Sequence, residues 1–332
     1  MVQSGHVGMS KTWRIVIFVV ITIIIIGVFV WLVDWHEVGR VLREAKITYL
    51  LMASAALVAG LLAYAWRWRV LLDNKPSLLH TFHASNIGHA GNMLIPGRAG
   101  EPARIVVMGQ DKEVSVATAT SSFVVERLFE QIMRLLALGA AVVSGVELEG
   151  KTGTVIGGVA FLVGAFLGIA WLVRHQEVVL ERGPKLLAKL PRLTEERAKV
   201  WLKDLLANLE AVAEWRRLAA VSGASLVAWG CFWGFFYLTL LALGDSFLPE
   251  QRLAVSLGAL ALSPPSAATQ PGLFHASVVG PLTAVGFAND TLTAYAILLH
   301  ILEMIWMIGL AVWGLLQTGL SWRQLLSSKE ES

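Results

Sequence analysis

The chain carries one cysteine, Cys231, in 332 residues. One thiol closes no internal disulfide, so the fold is held without a covalent staple. Charge is scarce as well. Asp, Glu, Lys and Arg make up 15% of the chain, where soluble domains hold about 25%. Metal-ligand spacings such as Asp-x-x-Asp or His-x-x-x-His are missing. These absences argue against a metalloenzyme or a disulfide-built secreted domain, and no cofactor is expected. No nucleotide is expected to drive the protein either. The first apolar run lacks a small-residue cleavage site, so it reads as an uncleaved helix rather than a signal peptide.

What the chain has in abundance is apolar length. Hydrophobic residues make up 56% of it, and Ile15 to Val33 holds no charge, with Thr22 its one hydroxyl. About 20 apolar residues cross ~30 Å of hydrocarbon. Six such spans are predicted, at 13–33, 48–66, 116–144, 153–173, 218–243 and 291–317. Two stretches between them are polar and broken by Pro and Gly. The first runs from Asn86 through Pro96-Gly97-Arg98 to Arg104, the second from Ser263 through Pro271-Gly272 to His275. Broken backbone at membrane depth survives only where it is buried in protein or lines a wet cavity. The predicted class is therefore an all-α integral membrane protein: six full spans plus two broken or re-entrant helical hairpins, about eight membrane elements.

The two halves, 13–144 and 153–317, repeat this order in opposite senses. Each Pro-Gly precedes the last span of its half by the same interval, the pattern of inverted-repeat transporters. The segment 174–217 is rich in Lys and Arg, which places it and both termini in the cytoplasm. Within it, Thr194 caps a helix whose Trp201, Leu202, Leu205, Leu209 and Val212 form one apolar stripe. That helix lies on the membrane surface or on the protein. The net charge of +3 comes from residues beside the spans, so lipid headgroups rather than nucleic acid are the expected partner.

Charge inside the third span carries the chemistry. Glu126, Glu130 and Arg134 follow one another at i,i+4, with Arg127 turned to one side. Each such group costs ~2.5–3.5 kcal/mol at a helix centre, so each needs a partner or a task. Internal pairing is one reading: Glu101 with Arg127, and Arg98 or Arg104 with Glu126 or Glu130. The other is substrate binding, with Arg98, Arg104 and Arg127 offering planar forks to phosphate. Asn86, His89 and Asn92 recur at a spacing of three and line one face of the first broken stretch or bond to its neighbours. In the second half, Gln270, His275, His300 and Glu303 are candidate cavity or proton-coupling groups, with a structural role the alternative.

The run Gly91-Asn92-Met-Leu-Ile-Pro96-Gly97-Arg98-Ala-Gly100-Glu101-Pro-Ala-Arg104, with Val-Glu126-Arg127 further on, resembles the flippase-like membrane domain of lysylphosphatidylglycerol synthases. The resemblance covers nearly the whole chain. It implies re-entrant elements and movement of a lipid between leaflets. Arg98, Glu101, Arg104, Glu126 and Arg127 match the family's charged signature. The second turn departs from the family's Pro-Gly-Gly-x-Gly, reading Gln270-Pro-Gly-Leu-Phe-His275. No aminoacyl-transferase segment follows the last span, so a stand-alone member is expected.

The expected function is a flippase in the cell membrane that moves an anionic, phosphate-bearing lipid or a lipid-linked sugar. Arg98, Arg104 and Arg127 would hold the phosphate, and Glu101, Glu126 and Glu130 would hold the arginines. An enzyme acting on a lipid phosphate, or a scaffold for one, is the alternative. A homo-oligomer is compatible with either.

Overall fold

A computed structural model describes residues 45–94, 100–145, 171–189, 194–244, 247–262 and 291–318, with isolated positions elsewhere. The predicted spans 13–33 and, for most of its length, 153–173 lie outside the described residues, as does the second broken stretch up to His275. Among the described residues the chain is helical throughout, with no strand.

The first helix, α1 (Ile47–Leu71), is apolar along its length and runs five residues past its predicted end. Hydropathy falls at Arg67, but the helix continues because Arg67 turns into the protein instead of out to the headgroups. Its partner is α7 (Trp215–Ala242). Gly60 lets the two approach, since a Cβ there would meet the Phe232 ring at 2.6 Å. The pair is antiparallel and tied at both ends. Lys46 N–H donates to the Ala242 carbonyl at 2.8 Å, and Arg217 donates to the Leu71 carbonyl at 2.6 Å. Asp73 and Asn74 take the left-handed conformation that turns the chain after α1, and Arg217 holds Asp73 there.

That turn leads into α2 (Leu78–Leu94) and α3 (Gly100–Met108), which lie against each other as an antiparallel pair. His80 Nε2 at the start of α2 donates to the Val107 carbonyl near the end of α3, at 3.2 Å. Halfway along, the backbones touch. A Cβ on Gly100 would sit 1.9 Å from the Gly88 carbonyl oxygen. α3 is nine residues long, about 14 Å, too short to cross hydrocarbon unaided.

α4 (Val116–Val143) begins where predicted because Ser115 caps it, its Oγ accepting the Thr118 N–H at 3.0 Å. α5 (Gln176–Leu187) was not foreseen in the sequence; Val179 on it packs on Leu202 and Leu206 of α6 (Glu195–Ala213). The apolar stripe of α6 rests on protein. Leu205 and Leu209 join a core cluster with Trp68, Met108 and Phe129. α8 (Pro249–Leu262) packs on α4, and α9 (Thr291–Thr318) packs chiefly on α2. α1, α7 and α9 are long and apolar enough to cross a membrane. α4 matches α7 in length but holds four charges in its middle.

A buried Arg–Glu network as candidate functional site

Three helices bring charge to one place. Tyr64, Arg67 and Trp68 stand at i, i+3 and i+4 on α1 and share a face. Glu101 and Arg104 share a face of α3, and Glu126, Arg127 and Glu130 supply the opposing carboxylates and a third guanidinium from α4.

The inner part is closed to solvent. Arg67 and Glu126 are fully buried, and Arg104 nearly so. Arg104 grips Glu126 with both terminal nitrogens, Nη1 to Oε1 at 3.1 Å and Nη2 to Oε2 at 2.5 Å. Such a fork-to-fork pair adds geometry to charge. Arg67 Nη2 reaches Glu126 Oε1 at 3.4 Å and Glu130 Oε1 at 3.2 Å. Aromatic faces cover the cations, with Arg104 4.0 Å from the Trp68 ring centre and Arg67 4.4 Å from that of Tyr64. Trp68 is itself fixed by donating to Ser122 Oγ at 3.0 Å.

The outer part is half open. Arg127 is 24% exposed, Glu101 17% and Glu130 14%. Arg127 Nη1 lies 2.5 Å from Glu130 Oε2, and Nη2 lies 3.7 Å from Glu101 Oε1. Between the two parts stands the Tyr64 hydroxyl. It touches Glu126 Oε1, lies 2.8 Å from Glu130 Oε1, and accepts from Arg104 Nη1 at 3.1 Å. Three arginines meet three glutamates, so the described network is charge-balanced.

Beside it runs the polar face of α2. His89 lies against Tyr64, ring centres 5.0 Å apart. Ser85 Oγ, Asn86 Oδ1, His89 Nε2 and Asn92 Oδ1 are buried without a hydrogen-bond partner among the described residues. Asn86 spends its amide on the Phe82 carbonyl at 2.8 Å.

The structure thus joins Glu101, Arg104, Glu126, Arg127 and Glu130, with His89 and Asn92 on the neighbouring helix. Arg104 and Glu126 are spent on each other. Arg134 stands apart, donating to the Ala261 carbonyl at 2.9 Å. His300 and Glu303 lie on α9, whose main packing is with α2 and not with α4. Arg98, Gln270 and His275 lie outside the described residues. Tyr64 and Arg67 were not singled out by the sequence reading, and Trp68, near a predicted span end, reads there as part of an aromatic belt. An Arg–aromatic cluster at a span end also fits a headgroup anchor, and only the i, i+3, i+4 spacing hinted at a shared inward face.

One motif bears on the expectation that no nucleotide drives the protein. Gly145 to Thr152 spells G-x-x-x-x-G-K-T, the spelling of a phosphate loop, so the sequence is not free of nucleotide-binding patterns. The pattern carries that chemistry between a strand and a helix. Here a long helix, α4, precedes it, and 146–152 lie outside the described residues.

Apolar helices long enough to span a bilayer, packed around a charge network, define an integral membrane protein with several spans. The family model for the lysylphosphatidylglycerol synthase TM region matches residues 15–311, and the chain belongs to that family. No curated protein and no solved structure matches the chain.

Proposed function

We propose that this protein is a lipid transporter that carries an anionic, phosphate-bearing lipid, or a lipid-linked sugar, between leaflets without altering it chemically. The observation that carries this is the half-open Arg127, held by Glu101 and Glu130 at the edge of a network otherwise sealed in the helix bundle. A guanidinium in that setting trades a carboxylate partner for a phosphate with little movement. Arg98, three residues before Glu101, is the second phosphate ligand in this reading. Asn92 and His89 line the approach. Arg67, Arg104, Glu126 and Tyr64 act as the clamp that holds α3 to α1 and α4.

The α2–α3 pair is the first re-entrant hairpin, a reading supported by its joined ends and by the shortness of α3. In this reading the two halves form an inverted repeat, with Gln270 and His275 as cavity groups of the second half, and the acyl chains stay in lipid. The protein sits in the cytoplasmic membrane, with 174–217 and both termini on the inner side.

The test is translocation in phosphatidylcholine vesicles doped with headgroup-labelled phosphatidylglycerol. Wild type moves the label across and leaves its mass unchanged, and Arg127→Gln abolishes movement. Equal rates in the two proteins would remove Arg127 from the site, and a changed lipid mass would favour an enzyme.

A further inference from the structure

We infer that α5 is an interfacial helix, and that its outward face docks on an anionic bilayer surface at the end of the bundle where α7 begins. The inference does not depend on what the protein transports.

α5 has two faces. Val179, Gly183 and Leu187 recur at i, i+4 and i+8 and turn toward α6. Val179 is buried on Leu202 and Leu206, and a Cβ on Gly183 would meet Leu202 Cδ1 at 2.7 Å. Leu172 packs on the same cluster, which pins α5 beside the segment that leads into it. The opposite face carries Val178, Arg182, Lys185 and Leu186, and Lys189 continues the line just past the helix end. Their spacing is i, i+4, i+7, i+8 and i+11, and all five are exposed. Solvent alone does not favour the two apolar members, yet Leu186 is 62% exposed and Val178 40%. A bilayer surface favours the whole set. Apolar side chains enter the boundary with the acyl chains, while Lys and Arg beside them meet anionic headgroups. The acids Glu177 and Glu181 stand to one side of that line.

The position of α5 along the bundle agrees. α1 and α7 are long and apolar enough to span, and Arg217 ties the start of α7 to the end of α1. Exposed Trp66 and Trp215 fall at that common end. Aromatic side chains of this kind mark the edge of the hydrocarbon. α6 runs into α7 with Glu214 alone between them. α5 begins shortly after exposed Trp171, at the end of the predicted fourth span. The chain thus enters and leaves the α5–α6 pair at headgroup level. A second copy is a poorer occupant, because a two-fold contact through this face sets its cations against themselves.

The test places a spin label on Leu186→Cys, in a Cys231→Ser background, with the full chain in nanodiscs. One set of discs is phosphatidylcholine alone, and the other also contains phosphatidylglycerol. Collisions with oxygen report lipid around the label, and collisions with a water-soluble nickel chelate report solvent. With phosphatidylglycerol present, oxygen reaches the label and the chelate does not. Without it, the chelate gains access. A label on Glu177→Cys is open to the chelate in both. Each cation shifts the docked-to-undocked ratio about fivefold. Changing Arg182, Lys185 and Lys189 to Gln together therefore opens the Leu186→Cys label in the anionic discs as well. Equal chelate access in both kinds of disc would overturn the inference, since the face would then be solvated. Equal protection in both would overturn the anionic partner, and so would a triple variant that stays protected. Spin–spin broadening between chains would give the face to a second copy instead. Thermal melts in detergent verify that each variant is folded.

Discussion

Glu126 and Glu130 stand one turn apart on α4 and have opposite surroundings. Glu126 is enclosed, with a bidentate arginine, a second arginine and a phenol around it. Glu130 has the same kinds of partner, but one of them, Arg127, is a quarter exposed. Enclosed ion pairs hold elements together because neither charge can be left alone, whereas half-open pairs contribute little to stability and can exchange partners. Pairing and substrate binding are thus not rivals for the same residues. The inner pair fastens α3 to α4, and under the proposed function the outer pair is the one that acts.

Breaking the inner pair gives the largest effect. Arg104→Ala strands Glu126 in the bundle and lowers stability by about 3–5 kcal/mol, measured as loss of the folded fraction in detergent melts at neutral pH. Gly100→Ala comes next. The added Cβ meets the Gly88 carbonyl oxygen, so α2 and α3 must part, at a cost on the order of 1–3 kcal/mol. Protease cleavage within α2 and α3 rises in that variant while the α1–α7 pair stays protected.

Tyr64→Phe sharpens the comparison by removing the group that touches both glutamates. It costs about 1–2 kcal/mol, since one donor is lost but the arginines remain. Smaller again is Arg127→Ala, below about 1 kcal/mol in melting, because that side chain is 24% exposed and Glu130 keeps Arg67 as a partner. Its effect falls on lipid movement instead. A melt shift as large as that of Arg104→Ala would erase the distinction between the inner and outer pairs. Asp204→Asn, at the Thr118 contact of 3.3 Å, changes stability least, by about 0.5 kcal/mol or less.

Much of the frame was legible in the sequence. Hydropathy placed α1, α7 and α9 and the start of α4, which the structure shows capped by Ser115. The i,i+4 spacing put Glu126 and Glu130 on one face before any partner was known. The partners were less legible, because Tyr64 and Arg67 lie some sixty residues earlier, and hydropathy stops at Arg67 whether the side chain turns outward or inward. The stripe on α6 announced a helix but not its cover, since lipid and protein ask for the same apolar residues. Arg104 read equally well as clamp or ligand. Its two-nitrogen grip on Glu126 is a fact of three-dimensional packing that no spacing encodes.

The most direct measurement is native mass spectrometry with lipid analysis on wild type, Arg104→Lys and Arg127→Gln, each purified in mild detergent. Wild type should carry a defined anionic lipid, Arg104→Lys should keep it while melting at lower temperature, and Arg127→Gln should lose it while melting normally. The same lipid on folded Arg127→Gln would contradict the assignment of the half-open pair as the headgroup site.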